Sequence, residues 1–429
     1  MTAPAMATAP VLRLLSTYQT LGRPADLRDH LSQYGPPPFP ELGSRDRTGE
    51  WLIRVLDQAG LTGRGGGAFP TARKIRSVAA SGRPAAVVVN AAEGEPLSGK
   101  DRLLLTVAPH LVLDGAALAA HAVGAHRIIV CVHDGTDTAV RAEAAAAERE
   151  QARFAPVPIE VHHVPGRYVA SEETALINHI NGGPAKPTFT PPRPYERGAD
   201  DRPTLVCNAE TYAHIALIVR YGAEWFRACG TADAPGTALF TVSGAVARPG
   251  VVEAPMGTSV ADLLRMAGGP AEPLQAVLTG GYGGTWIPLE RVRTPTTPAA
   301  FADVGAALGP GIIVALPKRA CGVAESARIL RWLAAETAGQ CGPCVFGLPA
   351  IADDFAAIAA SQADITVHRR LRRRLSVIPT RGACRHPDGA VRFAASALRV
   401  FGLHLVAHER AGGCVFARQA SVMPTWWGG

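Results

Sequence analysis

The strongest constraint on this chain is an alternation, between about residues 50 and 235, of short β-branched runs with longer Ala/Leu-rich stretches. Ala86-Val87-Val88-Val89 reads as a buried strand, and Arg127 to Val132 as another. Leu103 to Gly124 and Ala139 to Gln151 read as helices. Strands separated by helices of this length predict a parallel sheet covered on both faces, an α/β fold. Cys131, inside the run Ile128 to Val132, reads as a small core residue.

The texture changes near Thr237. Leu239 to Gly244 reads as a strand, Arg248-Pro249-Gly250 as a turn and Val251 to Glu253 as the partner strand. Ser259 to Ala267 reads as a short helix capped by Thr258 or Ser259. From Ala320 to Phe401 the apolar spacing fits three or four helices, with loops near Cys341 and Cys384. The chain of 429 residues thus divides into an irregular N-terminal arm (1–48), an α/β domain (49–235) and a small α+β module (236–316). A helical domain (317–403) and a tail (404–429) ending in Trp426-Trp427 follow. No run of about 18 apolar residues occurs, so no membrane insertion is expected. Met1 to Thr20 lacks a basic segment followed by an apolar core, so a cytoplasmic protein is expected.

The net charge of +7 favours acidic partners or anionic ligands. Much of it sits in His368-Arg369-Arg370-Leu371-Arg372-Arg373-Arg374, either a solvated helix face or a docking patch for an acidic redox protein. No zinc-finger or RNA-binding aromatic motif accompanies it, so nucleic acid is not the expected partner. The eight cysteines point to buried thiols or metal ligands rather than to a disulfide framework.

Four loops carry the chemistry. Gly63-Arg64-Gly65-Gly66-Gly67-Ala68-Phe69-Pro70-Thr71 has four glycines in five positions, which lets backbone approach a ligand closely. Pro70 suits a helix start, and Lys74 lies one turn further on. Backbone amides, a helix N-terminus and a lysine make a phosphate site; a flexible glycine turn is the plain alternative. Asn90-Ala91-Ala92-Glu93-Gly94-Glu95-Pro96 follows a buried strand, where open α/β sheets bind ligands. Asn90 can donate to and accept from a ring edge, while Glu93 and Glu95 also read as solvated loop carboxylates. Gly166 to Leu176 is a loop opening a helix, with Ser171 as its cap and Glu172 and Glu173 in its first turn; plain capping is the alternative to a ligand site. Val206-Cys207-Asn208-Ala209-Glu210-Thr211 is the fourth.

Together these loops resemble the flavoprotein subunit of NADH:quinone oxidoreductase (complex I) and related subunits of soluble hydrogenases and formate dehydrogenases. The resemblance runs from about residue 50 to 402, with GRGGxxFPTxxK, NAxExEPxxxKDR, YxxxEETALxN and VxNxET in the family's order. It implies an FMN-binding parallel-sheet domain, a β-grasp-like SLBB domain and a C-terminal helical bundle that bears an iron–sulfur cluster. It further implies FMN contacts at Gly63, Arg64, Gly65, Lys74, Asn90, Glu93, Tyr168, Glu172, Asn208 and Thr211. Glu95 and Glu173 match positions close to flavin and nicotinamide and stand as the catalytic candidates. Cys341, Cys344 and Cys384 match three of the four ligands to a 4Fe–4S cluster.

The chain departs from the family pattern twice. Phe69 matches one adenine-stacking phenylalanine, but the other two positions align with Ser77 and Arg193, and a cofactor-binding lysine with Thr190. Ser171 replaces a glycine beside the flavin, and Ala92 an aspartate. Lost stacking weakens binding by about 0.5–1.5 kcal/mol per aromatic pair beyond area burial, so NADH binding is expected to be weakened or lost. Ala338 stands where the first cluster cysteine belongs, with Cys321 and Cys414 available as substitutes. The implied partners are a ferredoxin-like or 2Fe–2S redox protein and a membrane-bound redox subunit. A relay between such partners without NADH is the alternative to an NADH dehydrogenase-like oxidoreductase.

Overall fold

The computed structural model describes residues 12–38, 45–410 and 414–423. Trp426-Trp427 and Met1 to Val11 lie outside the described residues.

The first sheet is wholly parallel. Its strands are β1 (Ala85–Asn90), β2 (Ala125–His133), β3 (Ile159–Val164) and β4 (Thr204–Asn208), in the order β3-β2-β1-β4. Side chains alternate across the pleat. Val87, Val89, Ile128, Val130 and Val132 enter a large core with the helices Arg45–Ala59, Pro109–Val123 and Ala209–Arg227. Ala86, Val88, Ile129 and Cys131 enter a smaller core with Leu176 and Ile177 on the opposite face. Each fully buried valine contributes roughly 1.5–3 kcal/mol, which commits the strands to this register. The helices Pro109–Val123 and Ala209–Arg227 cross closely at Gly115, where a Cβ would sit 1.8 Å from the Tyr212 carbonyl oxygen.

The expected single helix from Leu103 to Gly124 is two helices, Lys100–Val107 and Pro109–Val123, meeting at 96°. Pro109 is the cause: its ring drives Ala108 out of helical geometry, to φ −145° and ψ 50°. Nor are the first 48 residues irregular throughout. They hold helices Ser16–Leu21 and Leu27–Tyr34, and a third begins at Arg45. Asp26 and Asp29 form a reciprocal cap on the second of these, and His30 reaches buried Asp114 at 2.7 Å. The amides of Arg13, Leu14 and Leu15 converge on the buried Glu253 carboxylate at 3.0–3.1 Å, strapping the arm to the next sheet.

That sheet is mixed: β5 (Thr237–Gly244), β6 (Gly250–Pro255), β7 (Leu274–Thr279), β8 (Thr285–Pro288) and β9 (Ile312–Pro317), in the order β6-β5-β9-β7-β8. Ser259 caps the helix Val260–Met266 by accepting from the Asp262 amide at 3.2 Å. One face covers that helix, and the other packs Ala276, Leu278, Trp286 and Val314 on the helical bundle. The bundle comprises Gly322–Ala335, Leu348–Ala359, Ile365–Val377 and His386–Val400, followed by Gly402–Arg410. Within the basic run, Arg370 and Arg374 bind buried Asp354, while Arg369, Arg372 and Arg373 face solvent. Among the described residues, no single helix is long and apolar enough to cross a membrane.

Candidate functional site

The chain runs from β1 outward to β2 and β3, then returns to place β4 on the other side of β1. The strand order therefore reverses between β1 and β4, and the crevice outside their carboxyl ends is where such a sheet binds ligands. Asn90 and Asn208 close these strands in register. The Asn208 side-chain amide donates to the Asn90 carbonyl (3.2 Å) and to Asp101 (2.6 Å). Its oxygen accepts from Lys100 Nζ (2.7 Å) and from the Glu210 amide (3.2 Å), capping the helix Ala209–Arg227. Asn90 Nδ2 donates to the Ser171 carbonyl at 2.8 Å.

The glycine loop leans over this pair. Gly63 N–H donates to the Phe69 carbonyl (2.9 Å) and Arg64 N–H to Thr211 Oγ1 (2.9 Å). A Cβ on Gly65 would stand 3.3 Å from the Asn208 Cβ, and Gly66 has φ +103°. The amides of Gly65, Gly66 and Gly67 make no close hydrogen bond among the described residues. A cavity of about 230 Å³ opens between this loop and Leu308–Gly311. A wider, open depression of about 660 Å³ at Arg83, Pro191, Pro192 and Arg197 contains none of the candidate residues, and the strand reversal points away from it.

Other candidates are held differently from the sequence reading. The Arg64 guanidinium turns away and donates to the carbonyls of Pro235 (3.3 Å) and Thr237 (3.2 Å). Glu93 accepts from Ser98 Oγ (2.6 Å) and the amides of Asp101 and Arg102 (3.0 Å each), so it caps the helix Lys100–Val107. Glu172, not Ser171, caps Glu173–Ile180, accepting from the amides of Thr174 (3.0 Å) and Ala175 (3.1 Å). A carboxylate reaches two amides where a short hydroxyl would reach one. Ser171 instead turns its hydroxyl to the Tyr168 carbonyl at 3.2 Å.

The two candidate acids have separate partners. Glu173 pairs with Lys74 Nζ at 2.8 Å. Glu95 accepts from the Tyr282 amide at 2.9 Å, and also from Gly283, Tyr168 and Leu97. Burial pushes its carboxyl up to about 7 in spite of these donors. Tyr168 packs edge-on against Trp332 (centroids 5.4 Å apart) and beside His386 (5.1 Å), so it joins the crevice to the bundle.

On the bundle side, Cys341 and Cys344 flank a tight turn, and Cys384 precedes the helix His386–Val400. The Cys341 and Cys344 sulfurs are hydrogen-bonded, and Cys384 faces both. Burial works against ionisation of Cys341, but the amides of Ala383 and Cys344 outweigh it and hold the thiol below its usual range. The Ala338 amide donates to Cys344, and Ala338 carries a methyl group at the sequence position where a fourth thiolate is expected. Burial and the nearby Glu172 carboxylate push the Cys384 thiol up, and Cys384 lies within electrostatic reach of Tyr168, so the thiols adjoin the crevice.

Three family descriptions match in sequence order: the Nuo51 FMN-binding domain at residues 56–217, the SLBB domain at 239–286 and the NADH-ubiquinone oxidoreductase-F iron–sulfur binding region at 324–408. The NADH-quinone oxidoreductase F 2 protein of Rhizobium meliloti (strain 1021) is 32% identical over 94% of this chain and 96% of its own. The chain belongs to the NADH-quinone oxidoreductase F family. The F protein of Escherichia coli (strain K12) is 32% identical over 82% of each chain. Among solved structures, the NAD+-reducing [NiFe]-hydrogenase in its H2-reduced state superposes with a TM-score of 0.79 at 32% identity, over 94% of this chain and 67% of that one. This F-family member is thus an oxidoreductase of the flavin and iron–sulfur electron-transfer type, with FMN and 4Fe–4S as its cofactors.

Lys100, Asp101 and Glu210, outside the set of expected site residues, underlie the crevice of this F-family chain. Lys100, 1% exposed, donates to Asp101 (3.0 Å) and Asn208 (2.7 Å) and pairs with Glu210 (2.9 Å). Burial opposes its charge, but Asp101 and Glu210 hold it above the ordinary lysine range. The signal was available in Lys100-Asp101-Arg102 closing the acidic-loop motif. Cys321 is not the missing fourth ligand. It caps the start of the 14-residue helix Gly322–Ala335, while Cys341 lies beyond its other end, about 20 Å along the axis at about 1.5 Å per residue.

Proposed function

We propose that FMN lies in the crevice at the carboxyl ends of β1 and β4. In this reading electrons pass between the flavin and a cluster on Cys341, Cys344 and Cys384. The observation that carries it is the in-register pair Asn90 and Asn208 at the strand reversal, beneath a glycine loop whose amides are uncommitted. When bound, FMN exchanges a hydride or single electrons, and the cluster carries single electrons. Gly63, Gly65 and Thr211 shape the backbone cradle, and Lys74 supplies a cation that Glu173 holds in place. Asn90 and Asn208 meet the ring edge, and Tyr168 closes the side toward the thiols. Arg64, Glu93 and Glu172 act as braces. Glu95 and Glu173 position a substrate at the flavin. Lys74→Ala is expected to weaken FMN binding at least tenfold by fluorescence titration; unchanged affinity would refute the phosphate assignment.

We place the protein in the cytoplasm, within a larger redox assembly alongside a ferredoxin-like or 2Fe–2S protein and a membrane-bound redox subunit. The exposed Arg369, Arg372 and Arg373 suit an acidic partner, and that contact would weaken with salt.

A second reading, a relay without NADH, has specific support. Arg193 is exposed, and its amide donates to Glu196 at 2.8 Å. Ser77 turns its hydroxyl back to the Arg73 carbonyl at 3.0 Å. Phe69 is 47% exposed and has the Arg73 guanidinium 5.6 Å from its ring centroid. Anaerobic titration with NADH separates the readings. Flavin bleaching at micromolar NADH supports a dehydrogenase. A flavin that ignores NADH but is bleached by reduced ferredoxin supports the relay.

A further inference from the structure

One group of metal-ligating side chains lies outside the redox site. Cys321 caps the helix Gly322–Ala335, His408 lies near the end of Gly402–Arg410, and Cys414 follows from the C-terminal segment. Their ligand atoms all lie within 4.8 Å of one another. Cys321 and His408 are each 2% exposed, and Cys414 is half-buried. We propose that Cys321, His408 and Cys414 bind one zinc ion that clasps the C-terminal segment to the helical bundle.

The donor chemistry is that of zinc. Two thiolates and an imidazole form a soft sulfur–nitrogen set, and the two thiolate charges cancel the charge of the ion inside a buried site. Each thiol gives its proton to solvent on binding, and no electron moves. The imidazole is already aimed. Its Nε2 lies 3.2 Å from the Cys321 sulfur, and its Nδ1 lies 3.2 Å from Ser361 Oγ. A proton on Nδ1, donated to Ser361, leaves the Nε2 lone pair facing the thiols, as an outer-shell partner does for a metal-bound histidine. An ion about 2.3 Å from sulfur and about 2.0–2.1 Å from nitrogen, with tetrahedral angles, sets those two atoms about 3.5 Å apart. The present spacing needs to open by only a few tenths of an ångström. Water completes the coordination on the half-exposed Cys414 side.

The site also has a mechanical purpose. Ser421 Oγ and the Val422 amide bind buried Glu325 at 2.6 and 3.0 Å, and Arg328 reaches the Gln419 carbonyl at 2.5 Å. These contacts hold the segment to the helix Gly322–Ala335, and zinc at that helix's start adds a cross-link.

The test is zinc and iron analysis of the full-length protein purified under reducing conditions, with Cys414→Ser and His408→Ala alongside. FMN binding and far-ultraviolet circular dichroism serve as controls for folding. The wild type is expected to hold a single zinc ion per chain, with a loss of at least tenfold in each variant and unchanged iron. Cobalt substitution should give a tetrahedral thiolate–cobalt spectrum in the wild type alone. The proposal is overturned by a wild type that takes up neither Zn2+ nor Co2+. It is equally overturned by variants that retain zinc, or by a Cys321–Cys414 disulfide in the freshly reduced preparation.

Discussion

The crevice and the thiol loops face each other across Tyr168 and are built by opposite means. In the crevice every polar brace has a protein partner: Asn208 makes four hydrogen bonds, and Lys100 holds Asp101, Asn208 and Glu210. The thiol loops have little beyond backbone amides and one another, and Ala338 brings them a methyl group in place of a thiol. The difference teaches where the binding energy of each cofactor goes. A pre-shaped crevice keeps its form when empty, so the flavin's interactions appear as affinity. Loops whose charges lack protein partners gain order from the metal, so cluster binding appears partly as folding.

The largest effect that would break this contrast is expected from Lys100→Met. It strands the buried carboxylates of Asp101 and Glu210, and breaking a buried pair this way costs about 3–5 kcal/mol. Chemical denaturation should show that loss together with weakened FMN binding; a shift near zero would mean the crevice is not braced by charge. Next comes Glu95→Gln. Glu95 has its carboxyl raised to about 7 in the fold, against an ordinary value of 4.5. Between those two pH values the folded state therefore binds more protons than the unfolded one, so stability falls as pH rises through that window. The glutamine variant should flatten that fall, which amounts to at most about 3 kcal/mol. An unchanged pH profile would show that the carboxylate is not strained. Smallest in stability, and sharpest for the comparison, is Ala338→Cys. A fourth thiolate ahead of Cys341 and Cys344 should hold the 4Fe–4S cluster more firmly, seen as more iron retained per chain and a stronger four-iron signature by electron paramagnetic resonance. Iron content equal to that of the parent would mean another group already supplies the fourth ligand.

What the sequence made legible was local. The strand runs, the glycine loop and the asparagines at strand ends follow from neighbouring residues, and the structure places them as expected. Pro109 is equally local, and it splits the expected helix at Ala108. Other features depend on distant partners. Arg64 turns toward carbonyls at Pro235 and Thr237, and Glu253 gathers the arm from 238 or more residues away. Cys321 and Cys414 were visible as spare thiols, but only the fold brings them to His408 and separates them from the redox thiols. Glu93 and Glu172 show a subtler limit, since capping carboxylates and ligand-binding carboxylates share the same motif.

The most direct test of electron passage between crevice and thiols is an anaerobic reductive titration of the FMN- and iron-reconstituted protein beside Cys384→Ala. Both proteins are expected to bind FMN and bleach its absorbance. Only the parent should also bleach an iron–sulfur band and take up additional electrons. A variant with the same iron–sulfur band and electron uptake as the parent, or a parent that binds no FMN, would contradict the account.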